Sequence, residues 1–284
     1  MRRTSVSCLA VAGLGLLGWT GAAGASDDGS TFTPATDSTP NSIVLEGTLR
    51  DFKVSHPDMQ HEHKSFGVRK NLVEAELDGG IGVGKPVLNT STDYSKGMIT
   101  SPDTFDQWFR NVEGVNKALP YAITLEPLPG SPGVFFYARE KQSSDPAERY
   151  FFPLDDFGSD VCWDDKIDAS TGTHNFYFTY ELRTLFSYTS RDRRDDPSQD
   201  LEFKFVGDDD VWVFINGKLA VDIGGVHGQS SGEVNLDEQA AALGLEPDGV
   251  YELVLFFAER HTTQSNFRIE TTLKLSTETD PLYD

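Results

Sequence analysis

The chain has 284 residues, with 45 acidic and 24 basic side chains and a formal net charge of −21. A surface of that sign excludes a nucleic-acid partner, because phosphates demand a basic footprint. It favours divalent cations and neutral partners such as sugars, the plainer alternative being a solvated acidic surface that serves solubility.

The first stretch, "MRRTSVSCLAVAGLGLLGWTGAAGA", has Arg2 and Arg3 ahead of an apolar run from Val6 to Trp19. Small residues, Ala23-Gly24-Ala25, follow. This pattern predicts a secretory signal peptide over residues 1–25, cleaved after Ala25, since the run is short for a membrane span. No later segment is long and apolar enough to cross a bilayer, so the expected localisation is secreted and extracellular. Cys8 leaves with the signal, and Cys162 then has no partner for an internal disulfide, which suits a buried structural thiol. Residues 26–42, "SDDGSTFTPATDSTPNS", hold almost nothing apolar and read as a disordered linker. Residues 43–284 are expected to form a single domain.

"SIVLEGTLRDFKV" reads as a strand leading into a turn. The Gly-rich segment from Glu74 to Ser95 carries no clear period. "SPDTFDQWFRN" has a serine cap, Pro102 at the first helical position and an amphipathic body, predicting a short helix. "GVFFYARE" and "RYFFPLDDFG" read as strands around a polar loop. In "NFYFTYEL", Phe176, Phe178, Tyr180 and Leu182 alternate with polar or smaller residues. "LEFKFVG", "YELVLFFAE" and "NFRIETTLKL" alternate likewise, and "SRDRRDDPSQ" reads as a polar hairpin loop. Period-two alternation of aromatic and branched residues marks half-buried antiparallel strands. The fold class is all-β, an antiparallel β-sandwich with a few short helices and long loops.

The most informative stretch is "FVGDDDVWVFINGKLAVDIGGVHG", residues 205–228. Asn216-Gly217 signals a two-residue type I′ hairpin. That turn pairs Ile215 with Lys218 and, counting back, Val211 with Asp222. Asp222 is therefore expected beside Asp208, Asp209 and Asp210. Adjacent carboxylates repel one another unless neutralised, and four at one strand end make a hard-oxygen environment of the kind calcium prefers. The alternative is a polar turn entering a strand. The spacing of the helix-loop-helix calcium motif is absent.

This stretch, with "THNFYFTYELRTLFSY" before it and "DGVYELVLFFAERHTTQSNFRIETTL" after it, resembles the fibro-slime domain of the protective-antigen (PA-fourteen) β-sandwich family. The best-matched core is residues 173–274. "GTLRDFKVSHPDM" extends the likeness upstream. The resemblance implies a jelly-roll type of sandwich. In the sugar-binding branch of that family two adjacent aspartates joined by a cis peptide hold calcium, and the calcium holds sugar hydroxyls. The matching pair here is Asp208-Asp209, or one residue on, Asp209-Asp210. A second loop supplies an amide and carbonyls, matched here by Asn266 and the chain from His261 to Gln264. Asp210 and Asp222 would add field or a water-mediated contact.

Three further features were weighed. His61-Glu62-His63 offers zinc or copper ligands but no cysteine partners, which also suits a solvated turn. His227 and His261 lie in loops near the aspartates, either touching ligand or bonded to loop backbone. Trp163, in the polar setting "CWDDK", is a candidate for sugar stacking, and Trp212 and Phe214 are candidates for a platform if their face is not core. No nucleophile-elbow, zincin or phosphate-loop motif occurs. The sequence thus points to a secreted, calcium-dependent carbohydrate-binding or adhesion module rather than an enzyme. Its partner would be a glycan or a cell-surface or matrix component. The alternatives are a matrix interaction module without sugar binding and, more remotely, a glycoside hydrolase, which needs only two suitably spaced carboxyls.

Overall fold

The structure is a computed structural model that describes residues 41–59, 67–140, 149–163, 165–260 and 264–276. The expected signal peptide, most of the expected linker, and His61, Glu62, His63 and His261 lie outside these residues.

The long strands form one continuous antiparallel sheet that folds over on itself. Its elements are β1 (Ile43–Phe52), β2 (Asn116–Pro127), β3 (Phe135–Arg139), β6 (Phe178–Tyr188), β7 (Glu202–Gly207), β8 (Asp210–Ile215), β9 (Lys218–Ile223), β10 (Ser230–Asn235), β11 (Gly249–Glu259) and β12 (Phe267–Thr271). The order is β10-β7-β12-β3-β2-β1-β6-β11-β8-β9. The sheet turns the corner at β2, which meets β3 over only two residue pairs, Glu126 with Phe136 and Pro127 with Phe135. At the opposite end β10 closes onto β9. Gly232 sits so near β9 that a Cβ there would lie 2.5 Å from the Val221 side chain. The result is a sandwich approaching a closed barrel, with little free edge.

The alternation read from the sequence fills the space between the two layers. Phe178, Tyr180 and Leu182 from β6, and Val211, Val213 and Ile215 from β8, face Phe203, Phe205, Phe267 and Ile269 from the other layer. Phe176 corrects the expected pattern. It precedes the strand and packs in a second core with Tyr177, Trp212, Phe214, Val254 and Phe256. That second core lies under a cap built from the chain between β1 and β2. Met59, Leu72, Val73, Leu88, Ile99, Phe105, Trp108 and Phe109 supply its other wall. Consequently β8 is buried on both faces, and the Trp212 and Phe214 face is core rather than a sugar platform.

Several local expectations hold in part. The helix at 101 is a single turn, α1 (Pro102–Phe105), closed by a reciprocal bond between Ser101 and Thr104. The Gly-rich segment lies along the edge of β9, where Leu219 N–H donates to Ala75 O at 2.8 Å and Leu77 N–H to Gly217 O at 3.0 Å. "RYFFPLDDFG" is not a strand, because Pro153 opens a short 3₁₀ turn over Pro153–Asp156. "SRDRRDDPSQ" is not a hairpin loop either. β6 pairs with β1 and β11 whereas β7 pairs with β10 and β12, so the segment crosses between layers. A small hairpin of β4 (Ile167–Ala169) and β5 (Gly172–His174) stands apart from the main sheet. Helix α2 (Leu236–Leu243) is capped by Asn235, which accepts from the Asp237 and Glu238 amides, and ends at Gly244 with φ of 71°. No helix among the described residues is long and apolar enough to cross a membrane.

Candidate functional site

The three aspartates lie at the corner between β7 and β8, and all three are buried. Each carboxylate has a different set of partners. Asp208 Oδ2 accepts from the Asn266 backbone N–H at 2.9 Å and from Asn266 Nδ2 at 2.6 Å. Asp209 accepts from the backbone N–H groups of His227 (3.2 Å) and Arg260 (2.9 Å). Asp210 Oδ1 accepts from the Gly225 N–H at 2.6 Å, while its Oδ2 meets Arg260 Nε at 2.7 Å and Nη2 at 2.5 Å. The described residues contain no cis peptide bond, and Asp209 instead turns the corner with φ of 52°.

Arg260 is the residue that sequence reasoning missed. Its side chain is fully buried and paired to Asp210, with Nε and Nη2 both meeting the one oxygen Oδ2. Nη2 also donates to Gly97 O at 2.8 Å, and Nη1 donates to Met98 O at 2.9 Å, both on the cap. Its guanidinium carbon lies 4.5 Å from the centre of the Trp108 ring. Trp108 in turn donates Nε1–H to Asp58 at 2.9 Å. The available signal was a lone arginine ending the apolar run "YELVLFFAER", at the same end of the sheet as the acidic triplet.

Asp222 does not stand where the hairpin count put it. Asn216 and Gly217 both have positive φ, as a type I′ turn requires, and Ile215 does pair with Lys218. A bulge between Val213 and Phe214 then shifts the register, so Asp222 faces Trp212 and Val211 faces Ile223. Asp222 accepts from Trp212 Nε1 at 3.1 Å and from the Asn71 N–H at 2.6 Å. One of its oxygens thus holds Trp212 of β8 and the other holds the cap.

Electrostatics separate the members further. Burial pushes Asp208 above the ordinary carboxylate range against the pull of the Asn266 bonds. Burial pushes Asp209 up to about 6, with Arg260 pulling down and Asp210 adding to the rise. Asp208 Oδ1 is buried and has no hydrogen-bond partner among the described residues, an uncommon condition for a carboxylate. His227 lies within electrostatic reach of both aspartates. Its Nδ1–H donates to Gly228 O at 2.7 Å, and its buried Nε2 has no partner among the described residues. The candidate donor set for a hard cation therefore narrows to Asp208 and Asp209, with Asn266 alongside. No group of three or more acidic, histidine or cysteine side chains poised around a metal position occurs among the described residues.

Trp163 is half-buried and lies apart from this corner. Its ring has the Lys117 ammonium at 4.3 Å and the Lys53 ammonium at 5.0 Å, and its backbone N–H donates to Asp51. A stacking sugar would have to displace those lysines.

Residues 200–283, which contain the triplet, Arg260 and Asn266, match the PA14 domain. The match to that family covers this part of the chain. Over most of its length the chain is also similar to three Dictyostelium discoideum proteins. It is 35% identical to protein psiQ over 249 residues, covering 86% of this chain and 22% of psiQ. It is 36% identical to protein psiR, with the same two coverages. Protein psiH is 33% identical, matched over 84% of this chain and 31% of its own length. The chain thus spans about a fifth to a third of the length of these three psi proteins. Among solved structures, the PA14 domain of the MpAFP antifreeze protein aligns with 55% of this chain and 72% of its own, at 14% identity and a TM-score of 0.26. At that value the likeness fixes no residue correspondence.

Proposed function

We propose that this chain is an exported PA14 module of the fibro-slime type that works in adhesion or carbohydrate recognition, with calcium held at Asp208 and Asp209. The observation that carries the reading is Asp208 Oδ1, a carboxylate oxygen kept from water and without a donor among the described residues. Leaving such a group unpaired is costly, and a cation is the partner that would satisfy it. The donor set fits a hard cation, since Asp208 and Asp209 offer oxygens only and Arg260 has already neutralised Asp210. Calcium, when bound there, would offer open coordination positions to the vicinal hydroxyls of a sugar. Asp209 is held in place by two backbone N–H groups, and Asn266 orients Asp208. Affinity in the extracellular range of about 10⁻⁴ to 10⁻³ M is expected.

The test is retention of the chain on immobilised glycans in calcium, with elution by chelator and no release of sugar product. Retention that is indifferent to chelator and to Asp208→Asn would sink the calcium reading, and product release would favour a hydrolase. A second reading has its own support. The Asn266–Asp208 and Arg260–Asp210 bonds brace three segments of chain, as a purely structural interaction module would need. A chelator that lowers Tm while no glycan is retained would favour that one.

A further inference from the structure

A cleft of about 680 Å³ contains none of the aspartates discussed above. It lies where the chain from Arg149 to Asp156 passes the β4–β5 hairpin, with Tyr121 of β2 and Arg139 of β3 on the other side. That size falls within the range of small-ligand sites.

Its wall is a rigid pair of rings. Phe152 and His174 stack in parallel, 3.9 Å apart and 11° from coplanar, and both are half-buried. His174 cannot rotate away, because Nδ1 meets Asp155 at 2.6 Å and Nε2 meets Thr171 O at 3.2 Å. Asp155 is itself held by the Asn175 N–H at 3.1 Å. With both ring nitrogens committed, His174 has no free position from which to act as a general base. The wall is made for binding, preorganised so that little ordering entropy remains to be lost. Polar groups of both signs surround it, with Arg139 and Arg149 against Asp155 and Asp156. Ring faces together with balanced donors and acceptors suit a neutral polyhydroxylated ligand, and the acidic chain disfavours an anionic one.

We propose that this cleft is a second carbohydrate site, which takes a neutral oligosaccharide against Phe152 and His174 and needs no cation. The inference rests on the reading of the protein as a glycan-binding module. The cleft also neighbours the aspartate corner. The Phe151 N–H donates to Ser265 O at 2.7 Å, and Phe151 stacks on Phe267 at 4.4 Å, so the segment lining the cleft is fastened to the loop that carries Asn266. One extended glycan can therefore engage both places.

The test is titration of the full ¹⁵N-labelled chain with cellobiose and lactose, with glucuronic acid as the charged control, in calcium and again in chelator. Saturable amide shifts at Tyr150, Phe152, Ser170 and Thr171 that persist in chelator and are absent with glucuronic acid are expected. Phe152→Ala should weaken them about tenfold, the effect of losing one stacking ring. Ser170→Arg, at an exposed turn position on the cleft, should give a similar loss without disturbing the core. Shifts confined to residues 207–210 and 264–266 that vanish in chelator overturn the cleft proposal and leave the calcium site standing. No shift at either place, with or without calcium, contradicts both.

Discussion

At Glu181, on β6, one carboxylate is met by Arg50 at 3.0 Å, Lys85 at 2.5 Å and Arg183 at 2.7 Å, and Arg183 also reaches Glu252 at 3.0 Å. At the corner between β7 and β8, three buried carboxylates lie beside one guanidinium, that of Arg260, which pairs with Asp210, while Asp209 accepts from the Arg260 backbone N–H. Burial raises the affinity for a proton at both places, and the number of cations decides which way each carboxylate moves. Burial alone would push Glu181 up, but Arg50, Arg183 and Lys85 outweigh it and hold it below the ordinary range. Asp208 and Asp209 have no such company and remain raised. The first cluster completes itself from within the chain and fastens the cap to the sheet. The second has one cation for three carboxylates, which is the physical case for a bound divalent cation.

The comparison can be broken most forcefully at Arg260. Arg260→Met leaves Asp210 buried and unpaired and should cost about 3–5 kcal/mol in urea unfolding, with Asp210→Asn restoring part of it in the double variant. Glu181→Gln should cost less, about 1–3 kcal/mol, because Lys85 and Arg183 are partly exposed and regain water. Asp208→Asn should change stability by less than about 1 kcal/mol without calcium, since its amide keeps the acceptor that Asn266 uses. The same variant should lose any rise in Tm that calcium gives the wild type.

The smallest effect is a pH slope. Asp209 binds its proton more tightly folded, at about 6, than unfolded, at 3.8. Its contribution to stability is therefore fully present below 3.8 and lost as pH rises through 6. Asp208 and Asp222 are raised too and add to the same slope. In chelator, stability should fall between pH 4 and 6 in the wild type, and more shallowly in Asp209→Asn. A rise over that window in the wild type would contradict the account.

Much of the sandwich was legible because it rests on local rules. Alternation placed Phe203, Phe205, Phe267 and Ile269 in the core, and the Asn216-Gly217 turn gave the pairing of Ile215 with Lys218. What stayed hidden was non-local. The bulge after Val213 moved Asp222 by one pair, and no propensity rule marks a bulge without glycine. The cap has little regular structure, so periodicity could not show that Trp212 and Phe214 are covered. Arg260 lies fifty residues from its partner, and only the three-dimensional fold brings them together. Helix α2 was legible in its Asn235 cap and Gly244 stop but was passed over. At the candidate site the aspartate triplet, Asn266 and His227, all singled out in the sequence, lie together. Their division into a structural pair and an open pair was not legible, because it depends on Arg260.

The most direct measurement is calorimetric titration of calcium into the full chain and into Asp208→Asn. The account predicts one site per chain for the wild type, weakened at least about tenfold in the variant, the equivalent of about 1.4 kcal/mol. Equal heats for the two proteins, or no binding to either, would contradict the claim that the corner between β7 and β8 is built to hold a cation.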